Sequence, residues 1–306
     1  VKYTVLGTGA IGGYYGGMLR KSGLPVDFLA RSDYQYIKEH GLMIDSIKGD
    51  FILRELDVYD SVENLPDTDV VIVSMKTTAN ENLSELLLPI VKKGTVIFVL
   101  QNGLGMEEEL QKQFPHAVVI GGMCFICSQK RGPGYIVHLD KGPITAAPLH
   151  ESALPIAEKL RSDFVQAGIE MTLSRNLKHA RWGKLLWNIP FNGLSVVLNA
   201  NTKEIMDNPY GLSLAQRLME EVSRGASACG CNLPSGSIAG MLESTQTMAP
   251  YDPSMKLDYD HKRPMEVEYM YRKPLQEARK NGADLPLVAA LADQLSFLNQ
   301  VVEVPV

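Results

Sequence analysis

YTVLGTGAIGG, residues 3–13, decides how the rest of the chain is read. Tyr3 to Leu6 read as a short buried strand, and Gly7, Gly9 and Gly12 follow it in the spacing G-x-G-x-x-G at the start of a helix-like run. In that arrangement the first glycine permits a tight turn, the second lets backbone approach a pyrophosphate, and the third lets helix pack on strand. The helix N-terminus then faces the negative charge. The spacing alone fits any tight strand-to-helix turn; its place directly between a first strand and a first helix is what points to a dinucleotide. The loop Gly7, Thr8, Gly9, Ala10, Ile11 and Gly12 is therefore expected to cradle phosphates.

Outward from this loop, strand-like and amphipathic segments take turns as far as about residue 175. VDFLA (26–30), DVVIVS (69–74), TVIFVL (95–100) and AVVIGG (117–122) read as strands, and AIGGYYGGMLRKS (10–22), NENLSELLLPIV (80–91) and MEEELQKQF (106–114) as helices. Such alternation argues for a parallel sheet with crossover helices. GYIVHLD (134–140) and PITAAPL (143–149) are expected to add an antiparallel hairpin, and IEMTLS (169–174) a last strand after a helix near 152–167. Beyond Arg175 the strand signal ends, and helices are expected over roughly 178–199, 209–229, 234–247, a short one from 254, 264–281 and 286–299. The expected fold is α/β: a Rossmann-type parallel-sheet domain over 1–175, followed by an all-helical domain over 176–306.

The 306 residues are 45% hydrophobic and 21% charged, an ordinary globular composition with chain enough for about two domains. The formal charge of −5 comes from 30 basic and 35 acidic residues without a basic run, which argues against nucleic acid or an anionic membrane as partner. No stretch is apolar for the length a bilayer needs, and no secretion signal is read at the start. Four cysteines, as CFIC (Cys124, Cys127) and CGC (Cys229, Cys231), make no disulfide framework and lack the repeated spacing of a zinc site; they read as small buried hydrophobes, with no metal expected. The cytoplasm is the expected compartment. Oligomeric state is not legible, and a homodimer stays open.

Polar residues at strand ends come next, because ligands of open α/β sheets bind outside the carboxyl ends of the strands. After the second strand, where an acid would accept a ribose 2′-hydroxyl, the chain reads FLARSD. Arg31 offers a fork of donors suited to a 2′-phosphate, with Ser32 able to help, so NADPH is favoured over NADH; Asp33, two residues on, would return an acid to the site. Lys76 closes the next strand and Gln101, Asn102 and Gly103 the one after. A solvated loop lysine and a plain Asn-Gly turn are the alternatives for Lys76 and Asn102.

WGKLLWNIPFN, residues 182–192, has no wet side, yet Lys184, Asn188 and Asn192 recur every fourth position and share one stripe of a helix, spanning about 12 Å. A desolvated lysine beside a carbonyl could protonate its oxygen as a hydride reaches carbon, while the amides orient substrate oxygens. Alternatively the lysine snorkels and the asparagines bond neighbouring helices. Pro190 should kink this helix. In DPSMKLDYDHKRPMEVE, Ser254 after a proline reads as an N-cap, and Pro264 with Glu266 as the first turn of a helix.

Taken together, GTGAIGG, Arg31, the lysine of SMK, QNG, the Lys184/Asn188/Asn192 stripe, and Ser254 followed twelve residues later by Glu266 resemble the ketopantoate reductase (2-dehydropantoate 2-reductase) family from end to end. The resemblance implies reduction of ketopantoate to pantoate, a precursor of pantothenate and coenzyme A, by NADPH bound through the glycine loop, Arg31, Lys76 and Asn102. It implies Lys184 as general acid in an interdomain cleft and Glu266 as the carboxylate that accepts the substrate hydroxyl. Asn102, Asn188, Asn192 and Ser254 would hold the substrate. The chain departs from the family after the acid, with Glu268 and with Tyr271 and Arg272 in place of an Asn-Gly pair, so this helix is expected to pack differently. A reductase of another small branched 2-keto acid, and a non-catalytic NADPH-sensing protein, remain the alternatives.

Overall fold

The computed structural model describes residues 1–303; the last three positions of the expected second domain, 304–306, lie outside the described residues. The chain forms two compact units. One comprises Val1–Gln101 and Met106–Leu177; the other comprises Asn102–Gly105 together with the chain from Lys178 onward.

The first unit is built on a ten-stranded mixed sheet. Its strands are β1 (Tyr3–Leu6), β2 (Val26–Leu29), β3 (Leu42–Ser46), β4 (Phe51–Leu53), β5 (Asp57–Tyr59), β6 (Val70–Val73), β7 (Val96–Val99), β8 (Val118–Gly132), β9 (Tyr135–Pro148) and β10 (Met171–Leu173). The order across the sheet is β4-β3-β9-β8-β7-β6-β1-β2-β5, with β10 alongside β9. From β5 to β8 every pairing is parallel, as the β-branched runs predict. The chain leaves β1 toward β2 on one side and returns to β6 on the other, so the loops that follow β1 and β6 flank the point where the winding reverses.

Three expectations are corrected here. Residues 134–140 and 143–149 do not pair with each other: they belong to one strand, β9, whose antiparallel partner is β8. The interruption read as a turn is a local irregularity at Lys141 (φ 63°) and Gly142 (φ 124°), which bends β9 without ending it. Strands β3, β4 and β5 are additional. The expected helix over 80–91 is a 3₁₀ stretch, Thr77–Asn82, followed by the short α3 below.

The helices of this unit are α1 (Ala10–Lys21), α2 (Tyr34–His40), α3 (Leu83–Leu87), α4 (Met106–Gln113) and α5 (Leu154–Gln166). Helix α1 lies close on the sheet because its inner face is bare: a Cβ at Gly16 would fall 2.7 Å from Val5, and one at Gly17 2.4 Å from Ile44. On the core side of α5, Phe164 gathers the rings of Tyr3, Tyr15 and Phe98.

The second unit is helical: α6 (Leu177–Val197), α7 (Thr202–Asp207), α8 (Pro209–Ala228), α9 (Ser237–Thr247), α10 (Ser254–Asp260), α11 (Lys273–Lys280) and α12 (Pro286–Glu303). Its core centres on the apolar residues of α6, among them Trp182, Leu185, Ile189 and Phe191, packed with Met219, Val222, Met270, Tyr271 and Leu295. The helix expected over 264–281 begins at Val267 instead, runs through a π-turn at Glu268–Arg272 and continues as α11. Residues 264–266 stay non-helical, and the amide of Met265 is tied to Asn299 Oδ1 at 2.7 Å. Among the described residues no helix is long and apolar enough to cross a membrane.

Candidate active site

The three glycines of the loop after β1 meet different surroundings. Gly7 adopts φ +97°, where L side chains are strained, and a Cβ there would sit 2.6 Å from the amide nitrogen of Met75. At Gly12 a Cβ would fall 2.2 Å from Ser74 Oγ and 2.3 Å from the carbonyl oxygen of Gly7. At Gly9 it would meet nothing within 4 Å, and α1 starts there without a side-chain cap. Open space beside an uncapped helix N-terminus is what a pyrophosphate needs. The loop is thus closely packed at Gly7 and Gly12 and open at Gly9.

Thr8 is committed through its hydroxyl, which donates to the carbonyl of Leu29 at 2.9 Å and ties the loop to the end of β2. Any contact it makes to phosphate would come from its backbone. Two further residues hold this end of the sheet. The Ser74 hydroxyl lies 3.1 and 3.0 Å from the carbonyls of Leu6 and Gly7, and the Gln101 amide donates to the Met75 carbonyl at 2.8 Å and to Asn80 Oδ1 at 2.7 Å. Sequence reasoning did not single out Ser74 or Asn80; a serine at the end of β6, facing the loop after β1, was the available signal. Lys76 is exposed and immediately precedes the 3₁₀ stretch at Thr77.

After β2, Arg31 and Ser32 are exposed and Asp33 is buried. The Asp33 carboxylate receives Lys130 Nζ at 2.7 Å, the Gly134 amide at 3.1 Å and the Ser32 hydroxyl at 3.0 Å. Burial pushes its pKa up, but these three donors outweigh burial and hold the carboxyl below its ordinary range. Asp33 is thus occupied by protein donors, and Ser32, expected to assist at a 2′-phosphate, spends its proton on Asp33.

In the second unit, α6 runs unbroken through Pro190 and carries the polar stripe. Lys184 is half-buried, with its ammonium 6.0 Å from the ring centroid of Trp187. Asn188 and Asn192 are only 3% and 2% exposed, so their amides must find partners. Asn188 Nδ2 donates to Asn102 Oδ1 at 3.3 Å. Asn192 Oδ1 accepts the Met255 amide at 3.1 Å and the Ser254 hydroxyl at 3.4 Å. Ser254 is not the N-cap expected of it: Pro253 holds that position, Ser254 is the first helical residue of α10, and its hydroxyl turns to Asn192 instead. Asn192 therefore caps α10 from another helix, which fixes its oxygen and leaves its NH₂ as the remaining donor.

Asn102 follows β7 in sequence yet is counted with the helical unit. The next two residues show why: the Leu104 amide donates to the Tyr269 carbonyl at 3.0 Å, and Gly103, at φ +111°, comes so close that a Cβ would lie 2.5 Å from that same oxygen. Glu266 is buried and immediately precedes the helical run, its carbonyl accepting the Met270 amide at 3.3 Å. The departures from the family pattern are braces. Tyr271 is fully buried and donates to the carbonyl of Ile189 at 2.9 Å, beside Gly193, where a Cβ would reach 2.8 Å from its hydroxyl. Arg272 reaches Ser296 and Asp293 of α12, each at 2.8 Å. Among the described residues Cys124, Cys127, Cys229 and Cys231 form no disulfide, and no group of three metal-binding side chains occurs.

Residues 3–151 match the family described as ketopantoate reductase PanE/ApbA, and residues 176–299 match its C-terminal part. A 2-dehydropantoate 2-reductase from Nostoc sp. is 48% identical over 303 residues, covering 97% of this chain and 95% of the relative. Among solved structures, a 2-dehydropantoate 2-reductase from Geobacter metallireducens GS-15 is 39% identical with a TM-score of 0.94, covering 97% of this chain and 99% of the other. A D-mandelate dehydrogenase solved with NADH and anilino(oxo)acetate shares the fold, at 22% identity and a TM-score of 0.90 over 99% of this chain and the whole of the other. Matched along both units, this chain belongs to the ketopantoate reductase family of NAD(P)-dependent oxidoreductases.

Proposed function

We propose that the protein reduces 2-dehydropantoate to pantoate with NADPH, in the cytoplasm, with Lys184 as general acid. The observation that carries this reading is the pair of anchored amides on the helix that also bears Lys184: Asn188 bonded to Asn102, and Asn192 bonded to Ser254 and α10. The names of the relatives give the substrate.

The cofactor would be held by the loop Gly7–Gly12, by Arg31 at the 2′-phosphate, and by Lys76 and Asn102. When bound, NADPH supplies the hydride that adds to the keto carbon. The chain's own work is on the oxygens. Lys184 donates a proton to the carbonyl oxygen as negative charge develops there and is reprotonated from water, so the alcohol forms without a free alkoxide. The NH₂ of Asn192 is held in one orientation by its fixed oxygen, and an oriented donor binds a substrate oxygen without first paying for its ordering. Asn102, Asn188 and Ser254 complete the set, and Glu266 accepts the substrate hydroxyl.

Lys184→Ala should lower kcat by about 10²–10⁴, the range for removal of a general acid, with NADPH affinity unchanged. Turnover within a few-fold of wild type would rule out the assigned role. A panel of 2-keto acids offered with NADPH and with NADH reads the substrate and cofactor separately. Failure of every keto acid to oxidise bound NADPH would leave only a cofactor-binding protein.

A further inference from the structure

The loop that follows β2 contains both a cation suited to NADPH and an acid suited to NADH, Arg31 and Asp33, two residues apart. The partner of that acid lies almost a hundred positions away. Asp33 immediately precedes α2, yet its carboxylate makes no cap to that helix, the usual employment of an aspartate there. It is turned instead toward the β8–β9 hairpin, where Lys130 Nζ and the Gly134 amide hold it at 2.7 and 3.1 Å. The hairpin is itself fixed: the Gly134 carbonyl accepts the Met43 amide at 2.8 Å, and a Cβ on Gly134 would collide with Tyr36 of α2 at 2.9 Å. Lys130 is about one-third exposed and Asp33 7%, so the lysine closes the acid off from water as well as neutralising it.

We propose that Lys130 is a positioning residue for cofactor choice: by holding Asp33 in an ion pair it removes a competing carboxylate and leaves Arg31 to receive a 2′-phosphate. This rests on the reading of NADPH as the cofactor. Without the ammonium, Asp33 would be an uncompensated anion beside the loop. It could swing out to accept ribose hydroxyls, pair with Arg31, or repel the phosphate, and all three outcomes favour NADH over NADPH.

The test measures equilibrium affinity by nicotinamide fluorescence for NADPH and NADH, and by calorimetry for 2′,5′-ADP and ADP, so that no turnover is needed. In Lys130→Met the ratio of NADH to NADPH dissociation constants should fall at least about tenfold, with 2′,5′-ADP weakened in parallel and ADP unchanged or tightened. Lys130→Gln, which keeps a donor but no charge, should fall in the same direction and carries the test should the methionine variant fold poorly. Lys130→Arg should retain the wild-type ratio. Adding Asp33→Asn to Lys130→Met or to Lys130→Gln should restore most of the preference, because the liberated charge is then gone; failure to restore it would mean that Lys130 contacts the phosphate itself, and would overturn the positioning role. An unchanged ratio in Lys130→Met and Lys130→Gln overturns the proposal while leaving the NADPH reading intact. A wild-type protein that binds NADH as tightly as NADPH overturns that reading, and the proposal with it.

Discussion

Replacing Gly9 and Gly12 by alanine, one at a time, separates space kept for a ligand from space the fold itself needs. At position 12 the new methyl would lie 2.2 Å from Ser74 Oγ, 2.3 Å from the Gly7 carbonyl oxygen and 2.8 Å from Val5 Cγ1. Ser74 already lies against the carbonyls of Leu6 and Gly7, so it cannot move aside without giving up a bond. Overpacking of this kind costs about 1–3 kcal/mol, and the lost hydrogen bond adds about 1 kcal/mol. At about 2–4 °C per kcal/mol for a domain of this size, Gly12→Ala should lower the unfolding midpoint by about 4–16 °C. At position 9 the methyl meets nothing and φ is −95°, a value alanine adopts freely. The only cost is a poorer residue before the helix, about 0.5–1 kcal/mol. That methyl nevertheless occupies the ground over which backbone must approach a pyrophosphate, and NADPH affinity should drop at least about tenfold, or ~1.4 kcal/mol. Thermal unfolding and nicotinamide fluorescence titration read the two effects separately. Undiminished NADPH binding by Gly9→Ala, or a Gly12→Ala protein that melts together with Gly9→Ala, would refute the division of roles.

Asn192→Ala loses both the oxygen that caps α10 and the amide donor, and should cost about 1–2 kcal/mol of stability and raise KM for the keto acid at least about tenfold. Melting of this variant together with wild type would argue against the cap. Tyr271→Phe removes the donor to the Ile189 carbonyl and should cost about 1 kcal/mol, with KM for the keto acid raised more than that for NADPH; equal shifts in both would sink the idea that Tyr271 steadies the polar stripe. Asp27, buried in β2 and paired with Lys2, has its pKa raised by burial against the pull of Lys2. A folded pKa above the unfolded one contributes stability below the ordinary carboxylate range, and that contribution is lost as pH rises through the folded value. Asp27→Asn should therefore be more stable than wild type near neutral pH, and the gain should shrink on acidification; denaturant unfolding at several pH values checks the sign.

Much of this was legible in the sequence because strand β-branching and helical period report directly on burial. The runs that became β1, β2, β6 and β7 carry little else, and the loop at Gly7 lies between two such signals. The short strands β3, β4 and β5 escaped because LMIDS, FIL and DVY are too brief or too polar to show a period, and their pairing is set by distant neighbours. β9 was split because Lys141-Gly142-Pro143 reads as a stop, although a long partner strand can carry a bend across it. Helix α7 was missed at only six residues, yet its capping box, Asn201 with Glu204, was written in the sequence. At the site, the four-residue period gave the stripe but not its partners. Ser254 looked like a cap for its own helix and proved to bond Asn192, 62 positions away, and no local pattern encodes a pairing at that distance.

The tetrapeptide Asn102–Gly105 makes the architecture interleaved rather than sequential. A fragment begun at Lys178 would lack the amide of Leu104, which feeds the Tyr269 carbonyl, and the oxygen of Asn102, which receives Asn188. Severing the polypeptide between its two family matches would thus yield a C-terminal piece with vacated bonds in its own interior. A chimera that grafts this helical half onto a foreign sheet has to import residues 102–105 with it, or inherit Asn188 and Tyr269 with their partners missing.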